Sequence, residues 1–227
     1  MRTSHAVMGG AILAMALLGG GASLRAGESE EGLYLRFDTG RSFVRIAEKD
    51  PGGLDRGGEA TLVDGGIGYR VNRYLRGDVT AGYLFGCSVR MNGAAGGESI
   101  SFGGNALVGM VNVYADVARF GRVTSYVGGG VGLARNTAND TLISLPGATG
   151  RLEGDSRTSL AWQLMVGLDI SIAPNWTIDG GYRYLNLGEA RTGDTLIVNG
   201  IGIVFPSGAT SLDVRAHEAR VGIRYQF

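Results

Sequence analysis

The chain has 227 residues, with 21 basic residues against 21 acidic ones, so it carries no net field to draw it to nucleic acid or to an anionic membrane surface, and no nucleic-acid partner is expected. Glycine is abundant at 41 residues and proline scarce at 4, which fits neither collagen nor a proline-rich linker. The single cysteine, Cys87, excludes an internal disulfide framework and a CxxC metal site.

Met1 to Ala26 opens with Arg2, runs through the apolar segment Ala6 to Gly21 and ends among small residues, the pattern of a secretory signal peptide. Cleavage is expected after Ala26, with Ala22 as the alternative, which leaves residues 27–227 as a single domain. No later run is long and apolar enough for a transmembrane helix, so a membrane location would require a closed sheet.

From Gly32 the period is two. Leu33, Leu35 and Phe37 alternate with Tyr34, Arg36 and Asp38, and a polar stretch from Arg41 to Ala60 follows. Val63, Ile67, Tyr69 and Val71 then alternate with Asp64, Gly66, Gly68 and Arg70. After a tight turn at Asn72 to Tyr74, Leu75, Val79, Ala81, Tyr83 and Phe85 oppose Arg76, Asp78, Thr80 and Gly82. Gly86 to Ser99 reads as a loop.

The fourth strand, Ile100 to Asp116, sets Leu107, Val111 and Val113 against Met110, Asn112, Tyr114 and Asp116. A short connection leads to Val123 to Ala134, where Val127, Val131 and Leu133 alternate with glycines. Arg135 to Thr158 reads as the third long loop. Ser159 to Ile172 alternates cleanly from Leu160 onward, opposing Gln163, Met165, Gly167 and Asp169. Ala173-Pro174-Asn175 turns the chain into a strand that sets Trp176, Ile178, Tyr182 and Tyr184 against Thr177, Asp179, Gly181 and Arg183. A last long loop, Asn186 to about Ser211, precedes the terminal strand. There Ala219, Val221, Ile223, Tyr225 and Phe227 alternate with Glu218, Arg220, Gly222, Arg224 and Gln226.

The reading is an all-β, eight-stranded antiparallel up-and-down barrel whose connections alternate long and short. That asymmetry matches the external loops and periplasmic turns of an outer-membrane barrel. Alternation alone leaves open whether the apolar face points into a soluble barrel or out into lipid. Several details favour lipid. The polar series holds six arginines (Arg36, Arg70, Arg76, Arg183, Arg220, Arg224) and seven acids (Asp38, Asp64, Asp78, Asp116, Asp169, Asp179, Glu218), a set suited to mutual pairing in a lumen. Of all the cations only Lys49 is a lysine, and arginine is the cation suited to enclosed pairs with carboxylates. Aromatics on the apolar series (Phe37, Tyr69, Phe85, Trp162, Trp176, Tyr225, Phe227) lie towards strand ends, as an interfacial girdle requires, and glycines interleave with the charges, as expected where long arginines share a narrow interior.

Four segments carry a resemblance: Arg76 to Tyr83 (RGDVTAGY), Val111 to Asp116 (VNVYAD), Ala173 to Leu187 (APNWTIDGGYRYLNL) and His217 to Phe227 (HEARVGIRYQF). They resemble the opacity-protein and OmpA-like family of eight-stranded outer-membrane barrels, across essentially the whole mature chain. The resemblance implies a Gram-negative outer membrane and its lipid as surroundings. It also implies that the terminal series Val221, Ile223, Tyr225 and Phe227 is an assembly signal read by the barrel-assembly machinery.

Candidate chemistry is sparse. His217 and Glu218 could suggest a hydrolase or acyltransferase, but neighbours on a strand face opposite ways, and Ala219 stands where a serine partner would be. An interfacial structural histidine is expected. The glycine clusters at 65–68 and 128–132 sit within strands and precede no helix, so barrel packing is preferred to phosphate binding. Asp38, Asp64 and Asp78 could hold a cation, but neutralisation by arginines on their own face is the expectation. No metal, cofactor or catalytic residue is therefore assigned, and the protein is not expected to be an enzyme. The expected role is structural, in envelope integrity or in surface contact with a host or surface ligand at the external loops. A narrow small-solute pore is the alternative, and a lipid-modifying envelope enzyme is a third.

Overall fold

The computed structural model describes residues 31–48, 55–92, 99–145, 148–152, 154–191, 195–198, 201–204 and 211–227. The expected signal peptide, residues 1–26, lies outside the described residues. Eight long strands form the wall: β1 (Gly32–Glu48), β2 (Asp55–Arg70), β3 (Leu75–Asn92), β4 (Ser99–Phe120), β5 (Val123–Ala138), β8 (Ser156–Ala173), β9 (Trp176–Arg191) and β12 (Ser211–Gln226). Four short strands lie between them: β6 (Thr141–Leu145), β7 (Ala148–Leu152), β10 (Thr195–Val198) and β11 (Ile201–Val204).

Each wall strand pairs antiparallel with its neighbours. The ring closes where β1 meets β12, with Tyr34 opposite Gln226 and Glu48 opposite Leu212. Closure pairs every wall edge, which is what a strand needs to cross hydrocarbon. The short turns 72–74, 121–122 and 174–175 lie at the same rim as Glu31 and Phe227, and this is the periplasmic rim. Asn72 shapes the first of these turns, its Oδ1 accepting from the amides of Tyr74 and Leu75 at 2.8 and 2.9 Å.

The four long loops of the sequence reading are largely sheet. β1 continues through Arg41 to Glu48, and β2 begins at Asp55 rather than after Ala60. β3 runs on to Asn92, while the two remaining connections carry the hairpins β6–β7 and β10–β11. The wall strands are 16 to 22 residues long, about twice the ~9–11 residues that a tilted strand needs to span the apolar layer. The extra length stands on the external side.

The physical reason is visible along β1. From Leu33 to Phe37 the apolar side chains face outward and Tyr34, Arg36 and Asp38 face inward. Beyond Gly40 the sense inverts, with Ser42 and Val44 buried inside while Arg41 and Arg45 are exposed outside. A reading that follows one alternation stops where the alternation changes sign.

The lipid-facing belt has two girdles. Tyr69, Tyr74, Phe120, Trp176, Tyr225 and Phe227 ring the periplasmic rim, and Phe43, Tyr83, Phe85, Trp162, Tyr182 and Tyr184 ring the external boundary. Ring contacts tighten both, with Trp176 edge-on to Tyr225 at 4.8 Å and Trp162 tilted against Tyr184 at 5.3 Å between ring centroids. On β9 and β12 the girdles are eight residues apart, from Trp176 to Tyr184 and from Tyr225 to His217. That is about 26 Å along the strand and less along the membrane normal once the strand tilts. Phe37 is the exception to the expected girdle: it stands opposite Ile223, inside the apolar band.

Candidate functional site

All thirteen charged residues of the polar series are buried in the lumen, on the inward face of seven strands. They form three connected groups that climb from the periplasmic mouth. At the mouth, the Arg76 guanidinium donates to Asp116 at 2.9 Å and to Asp169 at 2.6 Å, Arg70 donates to Asp116 at 2.8 Å, and Arg224 to Asp169 at 2.6 Å. In the middle, Arg36 forks onto both oxygens of Asp38 at 2.8 Å, and also reaches Asp78 at 3.2 Å and Asp179 at 3.8 Å. Highest, Arg183 joins Asp64 at 3.0 Å and makes a short contact to Glu218. Arg220 is buried between these groups, its Nη2 3.7 Å from Met165 Sδ.

The pairing differs from the expectation of neutralisation by arginines on the same face of the same strand. Only Asp38 takes its close sequence neighbour, Arg36. Asp78 is held by that arginine across the sheet and by Asn112 Nδ2 at 2.7 Å, while Asp64 pairs with an arginine 119 residues away. The reach of a guanidinium exceeds the strand spacing, so in a closed ring the nearest carboxylate is often on another strand.

Three tyrosines share the lumen with the charges, and Tyr126 among them gave no sign in the sequence, because it stands where the alternation of β5 dissolves into glycines. Tyr34, Tyr114 and Tyr126 are buried. Tyr34 Oη donates to Asp78 at 3.1 Å, Tyr126 Oη to Asp179 at 3.1 Å, and Tyr114 Oη accepts from Arg36 at 2.8 Å. The Arg76 guanidinium lies 5.0 and 4.8 Å from the ring centroids of Tyr114 and Tyr126, close enough for cation–π attraction.

These rings account for part of the inward glycines, which were expected to make room for arginines, while Gly82 and Gly222 lie against the carboxylates of Asp64 and Asp38. A Cβ on Gly128 would come within 2.6 Å of the Tyr114 ring, and one on Gly167 within 2.5 Å of Tyr126 Oη; a Cβ on Gly68 would overlap the Tyr34 ring. The glycine cluster at 128–132 is thus a seat for neighbouring side chains, not a phosphate loop.

Above Arg183 the lumen is mainly apolar, with Asn136 buried among the apolar side chains and donating to the Leu187 carbonyl at 2.9 Å. Val44, Ala60, Leu62, Leu84, Val108, Leu185, Leu187, Val214 and Ala216 belong to one buried cluster spanning most of the circumference. This second, oily storey gives no sign in the sequence, because the segments that build it lie partly in stretches that read as loops. Cys87 packs against the cluster, and burial pushes its thiol up from the ordinary range.

His217 and Glu218 face opposite ways. Glu218 is fully buried beside Arg183, whereas His217 sits in the external girdle, its Nδ1 2.6 Å from Tyr182 Oη and its ring edge-on to Tyr184 at 5.3 Å. The two cannot act on one substrate atom. The terminal series Val221, Ile223, Tyr225 and Phe227 occupies the outward face of β12, with Val221 and Phe227 each 53% exposed.

A closed antiparallel ring with an apolar belt, two aromatic girdles and a charge-filled interior is a transmembrane β-barrel of the outer-membrane type. The family model for the outer membrane protein β-barrel domain matches residues 12–227, and the chain belongs to that family. A Rickettsia massiliae protein named as a candidate adhesin is 25% identical over 200 residues, covering 85% of this chain and 86% of its own. An uncharacterized Brucella abortus protein is 29% identical over 193 residues, covering 71% of this chain and 66% of its own. Among solved structures, the crystal structure of Neisserial surface protein A superposes with a TM-score of 0.52 at 20% identity, covering 86% of this chain and 97% of that one. The protein resides in the outer membrane of a Gram-negative bacterium.

Proposed function

We propose that this barrel is a surface-contact protein, a rigid stalk that holds an external sheet clear of the membrane for a host or surface ligand. One observation carries the reading. The outer end of β4 pairs with β6, β6 with β7, β7 with β10 and β10 with β11, so the wall continues into a sheet on the external side. Loops that only linked strands would need no such extension. The names of the Rickettsia relatives, candidate adhesins, support the same reading. The burial of Arg76, Arg183, Tyr114 and Tyr126 below and of the apolar cluster above speaks against the alternative of a small-solute pore.

The test is display in a non-adherent Gram-negative host. The wild-type barrel should raise attachment of the cells to a cultured cell layer. A variant with the hairpins β6–β7 and β10–β11 cut back to short turns should lose that gain while keeping the mobility of a folded barrel on unboiled gels. Equal attachment by both would sink the proposal.

A further inference from the structure

We infer a phospholipid headgroup site at the periplasmic rim, between the first and second turns, built to hold one phosphodiester of the inner leaflet. A cleft opens there, lined by Arg73, Tyr74, Val117, Ala118, Arg119 and Thr124, with Asp116 at its floor. Its shape comes from a β-bulge. The β4–β5 register runs Asp116 opposite Tyr126 and then skips to Ala118 opposite Ser125, leaving Val117 as the extra residue. Without the skip Arg119 would fall on the lipid-facing series. With it Arg119 stands opposite Thr124, on the series that lines the mouth.

The bulge is tied down on both sides. The Asp116 amide donates to the Tyr74 carbonyl at 2.8 Å, and Ser125 Oγ donates to the Ala118 carbonyl at 3.3 Å. The first turn is therefore clamped to the bulge, which brings Arg73 and Arg119 to one cleft.

The charges in the cleft are uneven. Asp116 is already neutralised by Arg70 and Arg76 at 2.8 and 2.9 Å. Arg73 and Arg119 make no ion pair among the described residues; Arg73 rests its guanidinium 4.6 Å over the Tyr74 ring. Two guanidinium forks without carboxylates, beside a carboxylate that is spoken for, suit an anion with several acceptor oxygens. The flank of the cleft is greasy, since Val117 and Phe120 are 65% and 76% exposed at the level of the periplasmic girdle. A soluble anion would use only the arginines. A lipid uses both, with the phosphodiester on Arg73 and Arg119 and its chains along Val117 and Phe120.

The test uses the full barrel, refolded in phospholipid-free detergent and followed by native mass spectrometry. The probes are dioleoylphosphatidylglycerol, dioleoylglycerol, which has the same chains and no phosphate, and inorganic phosphate. The wild type should retain one phosphatidylglycerol and no dioleoylglycerol. Arg73→Ala and Arg119→Ala should each weaken retention about tenfold, the loss of a charge-assisted contact. Arg73 lies in an exposed turn outside the ladder, so Arg73→Ala keeps the test open even if Arg119→Ala disturbs the bulge. Unchanged retention in the double variant, or equal retention of dioleoylglycerol, would overturn the site. Inorganic phosphate displacing the lipid stoichiometrically at micromolar concentration would overturn the lipid as its source.

Discussion

The lumen below Arg183 and the lumen above it are built on opposite principles. Below, the outer surface of the wall meets lipid tails and takes the apolar side chains of each alternation, which leaves the inward face to the polar ones. The inside is a set of arginines, carboxylates and tyrosines that pair with one another, with single atoms of Arg220, Asp64, Asp169, Asp179 and Glu218 left without a hydrogen bond among the described residues. Above, β1 and β12 present Arg41, Arg45 and Arg215 to water, and the inside reverts to the oily core of a soluble protein, with Leu62, Leu84, Leu185, Leu187 and Val214 buried. The same strands cross both regimes, and the solvent outside decides what goes inside.

The largest effect is expected at the seam. Arg183 is 1% exposed and holds both Asp64 and Glu218 just under the apolar cluster. Arg183→Ala leaves two carboxylates without their cation, at a cost of about 3–5 kcal/mol. The unfolding midpoint in urea, measured in vesicles, should fall accordingly. Replacing all three residues together (Arg183→Met, Asp64→Leu, Glu218→Leu) extends the apolar storey downward by one layer and should recover most of that loss. A triple variant as unstable as the single one would show that the two storeys are not interchangeable at this level.

On the outer surface the contrast runs the other way. Ile223, opposite Phe37 and Ile178, lies within the apolar band, whereas Phe43, opposite His217, lies in the external girdle. Ile223→Arg should cost about 2–4 kcal/mol, and Phe43→Arg about 0–1 kcal/mol, by the depth dependence of charges on a lipid-facing barrel. Equal penalties in vesicle unfolding would mean that the lipid boundary does not lie at this girdle.

A smaller loss tests the tyrosine seats. A Cβ on Gly68 would meet the Tyr34 ring and also the Gly77 carbonyl oxygen at 2.5 Å. Gly68→Ala should cost about 1–3 kcal/mol through overpacking. Gly109, whose Cβ would meet nothing within 4 Å, should accept alanine without measurable change in the same assay.

The lower storey was legible because its alternation is unbroken. Arg36, Asp38, Asp64, Arg70, Arg76 and Asp78 announce an inward polar face once the outward residues are apolar. The partners were not legible, since Arg183 finds Asp64 across 119 residues and only the closed ring sets which carboxylate is near. The upper storey was hidden by the inversion at Gly40, where Val44 and Arg45 carry the opposite sense from Phe37 and Asp38. Tyr126 was hidden by the glycines that make room for rings. The bulge at Val117 moves Arg119 from one face to the other, and a strict period of two cannot register such a skip.

A small effect on stability is also expected at the end of the chain, where it separates folding from assembly. The Phe227 amide donates to the Leu33 carbonyl at 3.0 Å, and its ring lies edge-on to Tyr225 at 5.1 Å. The side chain is half exposed at the rim, so deleting Phe227 removes one ladder bond and part of one girdle contact, about 1 kcal/mol. Folding into pure phosphatidylcholine vesicles should be nearly normal, in contrast to Ile223→Arg. We propose that the outward aromatic series of β12 is also what the barrel-assembly machinery reads, and a reader of that series loses its final residue in the deletion. The yield in outer membranes should then fall several-fold while folding in vesicles does not. If the deletion and the wild type reach the outer membrane equally, the terminal series belongs to the girdle alone.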